Sequence, residues 1–177
     1  MKLRKILLVL LACSLTLTIT LLGSVFAYMF KQTEEVTNDL VPARVSCVVQ
    51  ETFDGTVKSS VAVKNTGNID AYLRVRPVSY WVNAEGNIVG KKSSMPGFTV
   101  ADGWIKGTND TYYYNTPIAP GASTPNLLAS SITLASEDGY RQVVEVFAEA
   151  IQSKPTGAVT SSWGVTLDEN GTITKAP

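Results

Sequence analysis

Hydrophobic and polar positions divide this chain into two unlike parts. Residues 6–22 are almost continuously apolar, and no charge falls between Lys5 and Lys31. An uncharged run of that length predicts a helix able to cross a bilayer. Lys2, Arg4 and Lys5 precede it, and Gly23-Ser24-Val25-Phe26-Ala27 closes it. Val25 and Ala27 fit the small-residue rule of a signal peptidase, which predicts cleavage between Ala27 and Tyr28. An uncleaved anchor is the rival reading, diluted by Ser14, Thr16, Thr18 and Thr20. Lipoprotein processing at Cys13 is disfavoured, because it would leave only the short apolar stretch 6–12 ahead of the cysteine.

Beyond residue 43 the pattern shortens to a period of two, the signature of strands. Residues 44–53 predict a strand, Asp54-Gly55 a two-residue hairpin turn, and residues 56–64 the returning strand. In that second strand Val57, Ser59, Val61 and Val63 are expected on one face, with Lys58, Ser60 and Lys64 on the other. Asn65-Thr66-Gly67-Asn68 reads as a turn. Residues 71–82 follow as a strand with Leu73 and Val75 opposed to Tyr72, Arg74 and Arg76; Pro77 predicts an edge or a bulge. Residues 83–87 turn into Ile88-Val89.

Residues 90–126 form a looser excursion rich in Pro, Gly, Ser and Asn, with short strands expected around Trp104-Ile105 and Tyr112-Tyr113-Tyr114. Residues 127–134 predict another strand. Residues 141–151 carry both periods: Val144, Val146, Ala148 and Ala150 alternate, while Val143, Phe147 and Ile151 also fit a helical stripe. Their β-branched residues favour a strand. The tail predicts a helical turn over 158–163 and a last hairpin around Asp168-Glu169-Asn170-Gly171. Frequent turns between period-two segments imply an all-β antiparallel sandwich behind the N-terminal helix. The expected organisation is a signal peptide (1–27), an arm (28–42) and a sandwich domain (43–177).

Composition narrows the chemistry. Removing residues 1–27 leaves 150 residues, enough for one domain with a core, and 12 basic against 15 acidic residues, a net charge of −3. A mildly acidic domain predicts no nucleic-acid partner and membrane contact only through the N-terminal segment. Cys47, between Val45 and Val48-Val49, would be the one remaining cysteine, so no internal disulfide is expected. Histidine is absent from all 177 residues. That excludes HExxH-type zinc motifs and Ser-His-Asp or Cys-His catalysis. No catalytic residue, metal site or cofactor is expected.

Several residues invite a functional reading. Trp104 with Tyr112, Tyr113 and Tyr114 would make an aromatic surface for stacking on sugar rings. The plainer expectation is that alternate tyrosines cap the core and Tyr113 faces water. Asp168-Glu169-Asn170-Gly171 faintly suggests a calcium loop but lacks the further ligands that one needs. Glu145 and Glu149 share a face, as do Arg74 and Arg76, and ion pairs of these arginines with Glu51, Glu145 or Glu149 are the structural expectation. Asn109 and Asn170 match the glycosylation acceptor pattern.

Leu22-Gly23-Ser24-Val25-Phe26-Ala27-Tyr28 resembles the signal of substrates of the SipW-type peptidase in Gram-positive bacteria. Residues 51–55, the stretch 63–75 around Asn-Thr-Gly-Asn and Ala-Tyr-Leu-Arg, and 149–152 are similar to exported relatives of TasA and camelysin. This resemblance implies a jelly-roll sandwich at the cell surface, with some members polymerising into biofilm-matrix fibres. In such fibres the processed N-terminus is added as a strand to the next subunit. Carried over, residues 28–45 are the donor, with Tyr28, Phe30, Val36, Leu40 and Val41 as anchors. The expected partners are other copies, further matrix or surface proteins, and the signal peptidase during export. The camelysin branch also implies a metalloprotease as an alternative, and the aromatic surface a carbohydrate-binding module.

Overall fold

The computed structural model describes residues 2–31 and 41–177, the side chains of Phe30 and Lys31 excepted. It divides into two compact units, Met1–Val41 and Pro42–Pro177.

The first unit contains a single described helix, α1 (Lys2–Lys31), which is exposed from Lys2 to Met29. Its span Lys2–Met29 is long and apolar enough to cross a membrane. The hydroxyls of Ser14, Thr16, Thr18, Thr20 and Ser24 each donate to a carbonyl three or four residues back. The polar residues that interrupt the apolar run are thus satisfied within the helix, as a lipid environment requires. This apolar N-terminal helix is compatible with a signal peptide or with an anchor. It continues through Ala27 and Tyr28, so residues 28–31 are helical, whereas an arm that begins at Tyr28 is expected to be extended.

The second unit is mostly antiparallel β-sheet. Its strands are β1 (Cys47–Phe53), β2 (Val57–Asn65), β3 (Ala71–Val82), β4 (Ile88–Val89), β5 (Trp104–Lys106), β6 (Tyr112–Tyr114), β7 (Ile132–Thr133), β8 (Ser136–Glu137) and β9 (Tyr140–Gln152). A helix α2 (Gly157–Trp163) and a hairpin of β10 (Thr166–Leu167) and β11 (Ile173–Lys175) complete it. With α1 and α2 present, the chain is mostly rather than wholly β. One sheet has the order β1-β2-β7; the other runs β5-β6-β3-β9-β8, with β4 also on β3. Between the two sheets Val61, Val63, Leu73, Val75, Trp104, Tyr112 and Val144 share one apolar core. Residues 141–151 are strand: β9 pairs β3 over twelve positions, from Ala71↔Gln152 to Val82↔Arg141.

Three local expectations change, and the one for Pro77 holds. In β2 the register jumps from Thr52↔Ser60 to Phe53↔Lys58, which leaves Ser59 as an extra residue. A bulge of this kind flips the faces on one side of it. Lys58 therefore points inward, 3% exposed, and Ser59 is exposed. Tyr72 and Tyr113, expected on the wet face of their strands, are 1% and 3% exposed. They lie with Val159, Trp163, Val165 and Ile173 in a second core, because α2 and the β10–β11 hairpin cover that part of the sheet.

Residues 127–134 form a strand only at Ile132–Thr133. Here side chains replace the ladder along β2: Asn126 Oδ1 accepts from Val61 N at 2.8 Å and Thr124 Oγ1 accepts from Val63 N at 3.0 Å. Leu127 N and Thr124 N donate back to the carbonyls of Val61 and Val63. Pro77, finally, lies opposite Val146 inside the larger sheet. Its other flank is a local edge, because β3 pairs β6 at Arg74–Val75 and β4 at Trp81–Val82 but neither strand between.

Asn65-Thr66-Gly67-Asn68 is more than a turn. Asn65 is fully buried; its Nδ2 donates to the carbonyls of Ile69 and Ile118, and its Oδ1 accepts from Gly67 N. Asn68 Oδ1 accepts from Arg44 N at 2.6 Å, and its Nδ2 donates to the Pro42 carbonyl at 2.9 Å. The motif clamps the first residues of the unit to the sheet.

Candidate functional site

β1 is paired with β2 on one flank and, among the described residues, with no strand on the other. β9 is paired with β3 throughout, but β8 takes its far flank only at Tyr140 and Arg141. From residue 143 to 152 that flank has no described strand partner. The second edge of β2, by contrast, is sealed by residues 121–127. Unpaired N–H and C=O rows on β1 and β9 are templates for another chain.

The side chains along this opening agree with the backbone. Leu73 and Val75, in the middle of the sheet, are fully buried. Cys47 and Val49 on β1 and Val146, Ala148 and Ala150 on β9 reach the same core yet stay only half-buried. The two edges thus flank a seam where the core is incompletely covered.

At one end the seam widens into a cleft of about 550 Å³, lined by Val49, Glu51 and Phe53 of β1, Lys58 of β2, Tyr80 of β3, Leu134, and Arg141, Val143, Val144, Glu145 and Val146 of β9. The inward turn of Lys58 at the bulge brings its ammonium 2.7 Å from Glu51 Oε2 and 5.7 Å from the centre of the Phe53 ring. Glu51 keeps 30% of its side chain exposed. Tyr80 donates a long hydrogen bond to Glu145 Oε2 at 3.4 Å. Burial, and then the Glu145 carboxylate, raise the Tyr80 phenol above its ordinary value. Cys47, at the other end, is held neutral: burial raises its thiol pKa first, and the Glu149 carboxylate adds to this. No group of three or more His, Cys, Asp and Glu that could hold a metal occurs among the described residues.

No protein-family model matches this chain, and no curated protein or solved structure is significantly similar to it. The site has to be read from its own geometry.

The residues singled out from the sequence lie largely elsewhere. Trp104, Tyr112 and Tyr113 are 7%, 3% and 3% exposed, and Tyr114 packs edge-on to Trp104 with centroids 5.4 Å apart. The expected aromatic surface is therefore interior, because the excursion and the C-terminal hairpin close over both faces of β6. Arg74 pairs with Glu149 at 2.7 Å and lies over Trp163 at 4.7 Å, which fulfils one of the structural expectations. Asp168 Oδ1 accepts from Asn170 N and Thr172 N and so is spent on closing its hairpin turn. Asn109 and Asn170 are exposed in turns.

Of the expected donor anchors, Tyr28 is in α1 and 66% exposed, and Val41 is 77% exposed. Val36, Leu40 and the side chain of Phe30 lie outside the described residues. Sequence reading missed Lys58 altogether, placing it on the solvent face. The available signal was Lys58-Ser59-Ser60, three polar residues in a row that break the alternation.

Proposed function

We propose that this chain is an exported cell-surface or matrix structural protein that self-associates by accepting an extended strand between β1 and β9. The observation that carries the reading is the seam itself: two unpaired edges with half-buried Cys47, Val49, Val146, Ala148 and Ala150 between them. Several β1 and β9 Cα atoms lie within 8 Å of each other, so the two edges must part to admit a strand, which would then gain main-chain hydrogen bonds on both sides and bury its alternate side chains against that seam. The donor is the arm of residues 28–41 in another copy, ahead of the clamped Pro42 and Arg44 and freed when the apolar helix is removed. The sheets are then those of a jelly-roll-like sandwich, and the role is structural rather than enzymatic.

The clamp at Asn68 fits this role, because it fixes the point from which the arm leaves the domain. Neither alternative gains comparable support. A carbohydrate platform needs the aromatic rings at the surface, and a metalloprotease needs a ligand cluster.

Mass spectrometry of the protein from its native cell surface, with electron microscopy of the same fraction, tests the proposal. A mature start at Tyr28 together with filaments is expected. An intact N-terminus without filaments overturns it.

A further inference from the structure

We infer that the cleft between β1 and β9 recognises an acidic side chain, carried on the inserted strand between apolar neighbours and held by Lys58 and Arg141. The inference rests on the reading that these edges accept a strand, and adds which strand they accept.

Lys58 is the unusual group. It is 3% exposed and lines the cleft, and its ammonium carries three donors. Glu51 is the single ion-pair partner found for it among the described residues. Arg141 lines the same cleft, is exposed, and forms no ion pair among the described residues. Glu51 and Glu145 are the cleft's own carboxylates, and Glu145 is already approached by Tyr80.

Covering this space with a wholly apolar strand would take water from the exposed Arg141 and from the part-exposed Glu51 that partners Lys58, which is unfavourable. One incoming carboxylate answers both cations, since it accepts from Lys58 and from the Arg141 fork while Glu51 keeps its contact. Its flanking positions, two residues away on either side, meet Val49, Val144 and Val146 and are best apolar. An inward charge at a sheet edge, next to a bulge, is also a device that blocks indiscriminate edge pairing. The cleft therefore admits one class of strand and rejects plain hydrophobic ones.

The arm of a second copy meets this pattern on one flank: Val36 lies two residues after Glu34, while Gln32 lies two before it and Phe30 four before it. Phe30, Glu34, Val36 and Leu40 occupy even positions and so share one face of an extended strand, and Glu35 falls on the other. Glu34 is then the residue that meets Lys58.

The test uses the unprocessed full-length chain in detergent micelles and a fluorescein-labelled synthetic peptide of residues 28–41, followed by fluorescence anisotropy. The unaltered peptide should bind. Glu34→Gln in the peptide should weaken binding about 10- to 100-fold, the span of one charge-assisted hydrogen bond, while Glu35→Gln should change it less than about threefold. Lys58→Met in the protein should abolish the preference for the unaltered peptide over its Glu34→Gln form, with circular dichroism reporting that the sheet is retained. The peptide substitutions stand by themselves if that variant fails to fold.

Equal binding of the Glu34→Gln peptide overturns the acidic recognition and leaves strand acceptance intact. No binding of any peptide overturns both. Binding of sodium octanoate measured by calorimetry, with no peptide bound, would assign the cleft to a free amphiphilic carboxylate and also overturn the inference.

Discussion

The Lys58 ammonium stands 2.7 Å from the Glu51 carboxylate, with 3% of the lysine side chain exposed and 30% of the glutamate. The pair exists because Ser59 is an extra residue in β2 and turns Lys58 into the molecule. Removing one partner from a buried pair leaves the other charge uncompensated, whereas replacing both with apolar groups is often neutral. Glu51→Ala should therefore destabilise the domain by about 3 kcal/mol in urea unfolding. Lys58→Met with Glu51→Leu should recover most of that loss.

The clamp on the first residues of the domain depends on a missing side chain. A Cβ at Gly67 would stand 2.3 Å from the Arg44 carbonyl oxygen and 3.1 Å from Asn65 Oδ1. The backbone has to give way there. Gly67→Ala should cost roughly 1–3 kcal/mol through overpacking. It should also speed hydrogen exchange at the amides of Thr66 and Asn68, which donate to the Ser46 and Arg44 carbonyls.

Asn126 substitutes for a strand. Its Oδ1 serves Val61 N and Leu128 N, and its Nδ2 reaches the Ser59 carbonyl. Asn126→Ala leaves the buried Val61 amide without an acceptor, at about 1–3 kcal/mol. Thermal unfolding should report that loss, with β2 exchanging faster on its loop side and unchanged on its β1 side.

Alkaline pH should weaken the second core. Tyr72 donates to the Gly171 carbonyl, and burial, then the Asp168 carboxylate, raise its pKa above 10.0. The unfolded chain releases this proton near pH 10 while the folded chain keeps it, so stability is full below pH 10 and falls as pH rises through the folded value. Chemical unfolding at pH 8 and pH 11 should show the decline. Tyr72→Phe should be about 1 kcal/mol less stable at pH 8 and lose less on going to pH 11.

Much of the fold is legible in the sequence because its longest strands are locally consistent. Turn residues bound β1, β2 and β3, and β-branched alternation in β9 outweighs the competing helical stripe once β3 pairs along it. The departures have one kind of cause, interactions between segments distant in sequence. Tyr72 and Tyr113 are buried by α2 and β11, which come far later in the chain, and local alternation carries no trace of them. Residues 127–134 resemble a strand, yet side chains of Thr124 and Asn126 take the place of the ladder, which periodicity cannot register. The bulge at Ser59 shifts one face of β2 by one residue, enough to move Lys58 from solvent to interior. The candidate site suffers most from this. Sequence pattern offers Glu51 and Glu145 only as partners for arginines, and the open edges of β1 and β9 emerge only when the sheet order is known.

Amide hydrogen exchange on assembled and monomeric protein tests the central claim most directly. If a strand is added between β1 and β9, protection on assembly should rise in residues 47–53 and 143–152 and change little in β2 and β3, which are already paired. Unchanged exchange at those two edges, with protection appearing at another surface, would contradict the account.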